Sequence, residues 1–330
     1  MKKVNQKDIA ESLNVSRVTV TKALKDHPDI AKKTRELIKS KAIEMGYFPD
    51  FIGRNLSSKR TYAIGIVLPK IAHSFFAYSV ESFYEASREK GYHIIPMISF
   101  EKQVNELENI KTLLSMRVDG IIVDIASDST SESNYELVKR IGCKLLFYDR
   151  CPANGNNESI VTNDRESACA MVKMIIDKGY RKIYHFAGPS FLNISTDRRN
   201  GYEDAMDEKQ MLKYILNVNL NSQSGYDAMM KLADNKEIPD AVFAVNDSVA
   251  HGIYKAAHEL GLNIPGDIAV AGFGDIEYSK LLTPPLTSVR MPIKEMTAEA
   301  VNTIIEMIEG KRESIGKKIF LSKIIQRGSM

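Results

Sequence analysis

No run of about 18 apolar residues occurs in this chain, so nothing in it reads as a membrane-spanning helix. Cysteine is scarce. Cys143, Cys151 and Cys169 form no C-x-x-C pair and no zinc spacing, and an odd count fits reduced thiols better than a disulfide framework. Two lysines follow Met1, but the apolar core of a secretory signal does not follow them, so a cytoplasmic location is expected. The six histidines are scattered without helical metal spacing, and no metal is expected. G-x-x-x-x-G-K-[ST], H-E-x-x-H and G-x-S-x-G are all missing. "GFGDIE" is half a dinucleotide fingerprint, lacking its third glycine. These absences argue against an enzyme and against a cofactor. No internal repeat or low-complexity stretch is present.

What is present is a sharp division of charge. Residues 1–60 hold 14 Lys and Arg against 7 Asp and Glu, a net of +7, and the remainder holds 31 against 35. A basic head on a mildly acidic body suggests that the head meets a polyanion. Three short helical patterns occupy that head. The first covers Gln6–Leu13, with Ile9, Ala10 and Leu13 on one side. The second covers Ser16 to Lys25, and Ser16 is a good N-cap. Asn14 lies between them, where a tight turn needs tolerance of a left-handed backbone. The third runs from Ala31 to Met45 with Leu37, Ile38, Ala42 and Met45 facing inward, and Gly46 is its expected stop. Two helices joined by a short turn, closed by a third, make a helix-turn-helix, whose second helix enters the major groove. Val20, Ala23 and Leu24 would hold that helix in place. Arg17, Val18 and Lys22 would reach bases, while Ser16, Thr19, Thr21 and Lys25 would lie near phosphates. The competing reading is a small helical bundle with a solvated face.

"KDIAESLNVSRVTVTKAL", followed by "TRELIKSKAIEMGYFPDFIGRNLSSKRTYAIGIVLP", resembles the head, hinge and first body strand of the lac-repressor-type transcription regulators. The resemblance implies a homodimer on a pseudo-palindromic operator. It divides the chain into a DNA-binding head at 1–46, a hinge helix and linker at 47–60, and an effector-binding and dimerisation body at 61–330. Hinge residues Ile52, Gly53, Arg54 and Leu56 would lie in the minor groove, with Leu56 as an apolar wedge. Gly53 stands where the family usually has alanine, which costs about 1 kcal/mol of helix propensity. No leucine heptad closes the chain, so a dimer is expected and not a coiled-coil tetramer.

In the body, short apolar runs alternate with helical stretches: 62–69, 92–99, 120–126, 143–149, 182–188, 214–219, 241–247 and 268–275. This is the pattern of two doubly wound parallel-sheet subdomains, like a periplasmic binding protein, with ligand beyond the carboxyl ends of the strands. The strand ends are polar: Asp149-Arg150, Asn163-Asp164, Asn246-Asp247, Gly274-Asp275. Carboxylates, amides and a guanidinium suit a polyhydroxylated ligand, and Phe75, Phe76 and Phe191 could cover the apolar face of a sugar ring. The bland alternatives are core packing for the phenylalanines and helix capping for Asn246-Asp247. The resemblance places Asp149, Arg150, Arg198, Asn246 and Asp247 at the effector. It leaves Gly274 where the family has Asp, with Asp275 following, and puts "IAHSFF" where "NPFF" is common, so that His73 and Ser74 alter one wall. A sugar or sugar derivative is the expected effector, and a purine or other metabolite the alternative. Arg198→Ala is expected to leave the dimer and its operator affinity intact while abolishing the response to effector.

Overall fold

The computed structural model describes residues 4–47, 60–153, 158–314 and 316–330. Two compact units separate, Met1–Thr61 and Tyr62–Met330. In the first, α1 (Gln6–Ser12), α2 (Arg17–Leu24) and α3 (Lys32–Glu44) close on Ile9, Ala10, Val20, Ala23, Ile38 and Ala42. Asn5 caps α1 in a reciprocal box with Asp8. Ser16 caps α2, its Oγ accepting the Thr19 N–H at 3.0 Å. Asn14 takes φ 52° and Gly46 φ 69°, the two left-handed positions that the turn and the helix stop require. Leu37 does not face inward as expected and is 57% exposed. With only two partner helices, the buried stripe of α3 narrows to the i, i+4 pair Ile38 and Ala42, and a residue 100° away falls outside it. The hinge residues Ile52, Gly53, Arg54 and Leu56 lie outside the described residues.

The second unit holds two six-stranded sheets. The first comprises β1 (Ala63–Leu68), β2 (His93–Ile98), β3 (Gly120–Val123), β4 (Lys144–Tyr148), β5 (Ser159–Thr162) and β11 (Lys317–Phe320). The second comprises β6 (Ile183–Ala187), β7 (Tyr214–Asn217), β8 (Ala241–Ala244), β9 (Ala269–Gly274), β10 (Thr287–Arg290) and β12 (Lys323–Ile325). Their orders are β11-β5-β4-β3-β1-β2 and β12-β10-β9-β8-β6-β7, the same strand order twice with no repeat in sequence. All pairings are parallel except β10 with β12. Inner strands such as β1, "AIGIVL", are buried throughout because helices cover both faces. Edge strand β2 is half-exposed and tolerates Pro96, whose missing N–H costs no ladder bond on an edge.

All eight expected runs form strands. Four others did not stand out in the sequence. β5 ("SIVT") and β10 ("TSVR") are four residues long and at least half polar, and β11 and β12 are outer strands with lysines. The chain crosses between the sheets three times, after β5, after β10 and between β11 and β12. In both sheets the strand order reverses at the first strand, so β1 and β6 set the crevice where a ligand would sit.

Candidate functional site

On the head, the outward face of α2 carries Arg17 and Val18, and Val18 is 64% exposed. An apolar side chain so exposed has no packing role in the three-helix core. Lys22 is half-buried and donates to Asp29 at 2.7 Å. Thr21 is committed inward, its hydroxyl bonding Gln6 Oε1 at 2.8 Å and the Arg17 carbonyl at 2.9 Å. Ser16 and Thr19 share a hydroxyl contact at 2.8 Å, and Lys25 is exposed.

In the body, a cavity of about 240 Å³ lies at the carboxyl ends of the strands. Phe75, Phe76, Asp149, Arg150, Arg198, Asn246 and Asp247 line it, as the sequence led one to expect. Phe191 does not; it lines a separate cavity of about 750 Å³ with Ser129, Arg199 and Lys231. Asp275 does not line it either. Its carboxylate turns away to Arg290 and Arg327, each at 2.6 Å, and Gly274 takes the place on the wall. His73 lines the wall, as its substitution for the family's usual residue suggested.

The polar groups are positioned by the strand ends. Arg198 sits in the second turn of helix Asn193–Glu208, not at a helix start, and is 3% exposed, not a surface residue. Its Nε and Nη2 meet Asp164 at 3.0 and 2.9 Å, its Nη1 donates to the Val245 carbonyl at 2.8 Å, and its Cζ lies 3.7 Å from the centre of the Phe273 ring. Arg150 meets Glu101 at 3.0 Å and lies 5.2 Å over Phe76. Asn246 caps the following helix through the Val249 N–H at 2.9 Å. Asp247 accepts from Ser288 Oγ (2.6 Å), Ser279 Oγ (2.7 Å) and the Ile276 N–H (3.0 Å). Three donors account for most of its accepting capacity, so it braces the wall. Asp149 is the opposite case: buried, with φ 57°, and Oδ1 accepts no hydrogen bond among the described residues. Burial lifts its carboxyl to about 6, against the pull of Arg198. His73 donates to or accepts from Ser248 at 2.9 Å across the cleft, and burial with nearby Arg150 lowers it to about 4, so it is neutral at pH 7.

Sequence reasoning did not find Lys70, Glu101, Asn221, Ser222, His251 and Phe273, which also line the cavity. Applying the carboxyl-end rule to β2 and β7, not only to the strands with acidic ends, would have reached Glu101 and Asn221.

Asp124, fully buried behind Arg150, tests the electrostatics. Neither of its oxygens accepts a hydrogen bond among the described residues, and Arg150 Nε stands 3.6 Å away. Burial, with Asp149 beside it, raises its carboxyl well above the ordinary range. A raised carboxyl binds a proton more tightly folded than unfolded, so its stabilising contribution is present at low pH and lost as pH rises. Asp124→Asn should therefore melt above the wild type at pH 8, with the gain shrinking toward pH 5. Thermal melts of both proteins across that range check this. A variant destabilised equally at both ends would show that the carboxylate is needed ionised.

A model described as bacterial regulatory proteins, lacI family, matches residues 6–50, and one described as periplasmic binding protein-like domain matches residues 172–330. The chain belongs to the lacI family. It is a DNA-binding transcription regulator and not an enzyme, and a small molecule bound by the body switches its affinity for operator. Among relatives of this lacI-family chain, the NTD biosynthesis operon regulator NtdR of Bacillus subtilis (strain 168) is 29% identical, over 98% of each chain. The lac repressor dimer bound to operator and the anti-inducer ONPF superposes with a TM-score of 0.88 at 22% identity, over 99% of each chain. A periplasmic binding protein/LacI regulator from Alkaliphilus metalliredigens QYMF, complexed with D-xylulofuranose, gives 0.71 at 25% identity, over 81% of this chain and 98% of that one. Among the described residues no helix is long and apolar enough to cross a membrane.

Proposed function

We propose that this regulator is a cytoplasmic repressor that binds a pseudo-palindromic operator as a homodimer and takes a sugar-sized polyol as effector. The observation that carries the effector reading is the cavity itself. It is lined by three phenylalanines, Phe75, Phe76 and Phe273, beside the buried carboxylates of Asp149 and Asp247, the amides of Asn221 and Asn246 and two guanidiniums. Flat apolar faces flanked by fixed donors and acceptors match a sugar ring, which is apolar above and below and hydroxylated at its rim. At about 240 Å³ it is smaller than the roughly 300–1,000 Å³ of drug-sized sites, which favours a monosaccharide over a longer sugar. The D-xylulofuranose in the similar regulator supports the same class. The effector biases two arrangements of the dimer, and so the spacing of the two heads.

On DNA, Arg17, Val18 and Lys22 read bases, Lys22 first releasing Asp29, while Ser16, Thr19 and Lys25 approach phosphates. Thr21 has its hydroxyl hydrogen committed to α1, so it serves mainly to fix α2. The head is 1–46, the hinge 47–60 and the body 61–330, with Ile52, Gly53, Arg54 and Leu56 entering the minor groove. Arg17→Ala should cost roughly 1–3 kcal/mol on the best operator and relax preference at one position in each half-site. Selection from random duplexes checks this. An unchanged consensus would remove Arg17 from base reading, and binding that does not weaken with salt would remove DNA as the partner.

A further inference from the structure

The charges around the cavity do not balance. Arg198 is neutralised by Asp164, and Arg150 by Glu101 with Asp124 behind it. Asp247 is held by three neutral donors. That leaves Asp149, a buried carboxylate whose Oδ1 faces no donor among the described residues. In all, Glu101, Asp149, Asp164 and Asp247 stand against Arg150 and Arg198, with Asp124 held toward its neutral form by burial. Two features oppose the excess of acid. Lys70 is half-buried on the lining, and the helix beginning at Ser222 points its N-terminus there. A helix N-terminus is worth about half a charge, and Lys70 is screened by solvent as Asp149 is not. Both histidines of the lining have lowered proton affinity and add no charge at pH 7.

We propose that the effector is a polyol bearing a protonated amine, an amino sugar, with its ammonium against Asp149. This rests on the sugar reading above and narrows it. The missing counter-ion is a cation small enough for a monosaccharide-sized cavity, and an ammonium on the ring meets both needs. The same geometry disfavours sugar acids and sugar phosphates, because both guanidiniums are already charge-paired and an anion would add to the acid excess. Arg198 retains a free hydrogen on each terminal nitrogen and can still hold a neutral hydroxyl.

The test uses the full chain and calorimetric titration at pH 7.5. The probes are amino-deoxy hexoses with the amine at C-2, C-3, C-4 or C-6, each beside its parent hexose and its N-acetyl derivative, with hexuronates and free nucleobases. At least one amino sugar should bind about tenfold or more tighter than both its parent and its N-acetyl form. In Asp149→Asn that preference should fall to within about threefold, with folding preserved by the isosteric amide. A parent hexose or hexuronate that binds as tightly as every amino form overturns the amine and leaves the sugar reading standing. Binding by a nucleobase and by no hexose, or by nothing in the panel, overturns the sugar reading and the amine with it. A preference undiminished in Asp149→Asn overturns the assignment to Asp149.

Discussion

Arg198→Ala should cost the body roughly 3–5 kcal/mol, because it breaks a buried ion pair from one side. Both partners are 3% exposed. Removal of the guanidinium leaves Asp164 with the Thr162 hydroxyl as its remaining side-chain donor among the described residues. The loss also strips a cation from the Phe273 face and a donor from the Val245 carbonyl. The simple expectation that this substitution silences the effector response while leaving the rest of the protein intact therefore does not hold. The loss should depend on pH. Burial already raises the Asp164 carboxyl, with Arg198 as the chief opposing influence. Without Arg198 it rises further. A carboxyl raised in the folded state stabilises at low pH and loses that contribution as pH rises, so the deficit should be smaller near pH 4.5 than at pH 8. Urea unfolding followed by circular dichroism, at both pH values, reads the difference. A deficit independent of pH would mean that Asp164 is not the group left stranded. Arg198→Lys should fall between, since one ammonium cannot serve Asp164 and Val245 together.

The corrected reading of Arg198 marks how far the sequence reaches. Strand ends and their polar residues were visible because apolar runs of β3, β4, β8 and β9 stop abruptly at acids and amides. Which of those acids turns toward the crevice was not visible. Asp247 and Asp149 both follow apolar strands, yet Asp247 is held by Ser279 and Ser288, residues more than thirty positions away, whereas Asp149 lines the crevice with no donor to Oδ1 among the described residues. Asp275 is drawn off by Arg327, from a segment that returns to the second sheet only after crossing to the first and back. Such partners are set by tertiary crossings, which carry no local periodicity. The same holds for Phe191: an aromatic after β6 suggests a ligand wall, but Ala153 N–H bonds its carbonyl at 2.9 Å and anchors that turn beside another cavity. On the head the local rules sufficed for the turn and caps, since Asn14 and Gly46 act through their own backbone and Ser16 through a hydroxyl that reaches only three residues on. They failed at Leu37, where the width of the apolar stripe depends on how many helices surround it.

Gly252→Ala should destabilise the body and open the cavity, although Gly252 lies inside a helix where alanine is ordinarily preferred. Intrinsic propensity favours the alanine by about 1 kcal/mol. Packing opposes it. A Cβ at Gly252 would lie 1.8 Å from the Ser222 carbonyl oxygen and 2.6 Å from the Tyr226 nitrogen, both backbone atoms that cannot rotate aside. Gly225, on the facing helix, is in the reciprocal position, with a Cβ placed 2.2 Å from the Val249 carbonyl. The two helices, Ser222–Asp234 and Asp247–Glu259, therefore touch backbone to backbone near their N-terminal ends. Overpacking costs typically 1–3 kcal/mol when side chains can adjust, and an overlap with fixed backbone belongs at or above the top of that range. The clash outweighs the propensity, and a net loss of roughly 2 kcal/mol or more is expected. Relief requires the helices to part. Asn221, Ser222, Asn246 and Ser248 lie at the ends that would move, and all four line the cavity. The His73–Ser248 contact across the cleft would lengthen with them. Effector affinity should drop by about tenfold or more, while the head, a separate unit with its own core, keeps its operator contacts. Chemical unfolding and effector titration of the same variant read both effects. An alanine variant as stable as the wild type would mean that the helices can separate without loss, and effector affinity would then decide whether this backbone contact shapes the cavity at all.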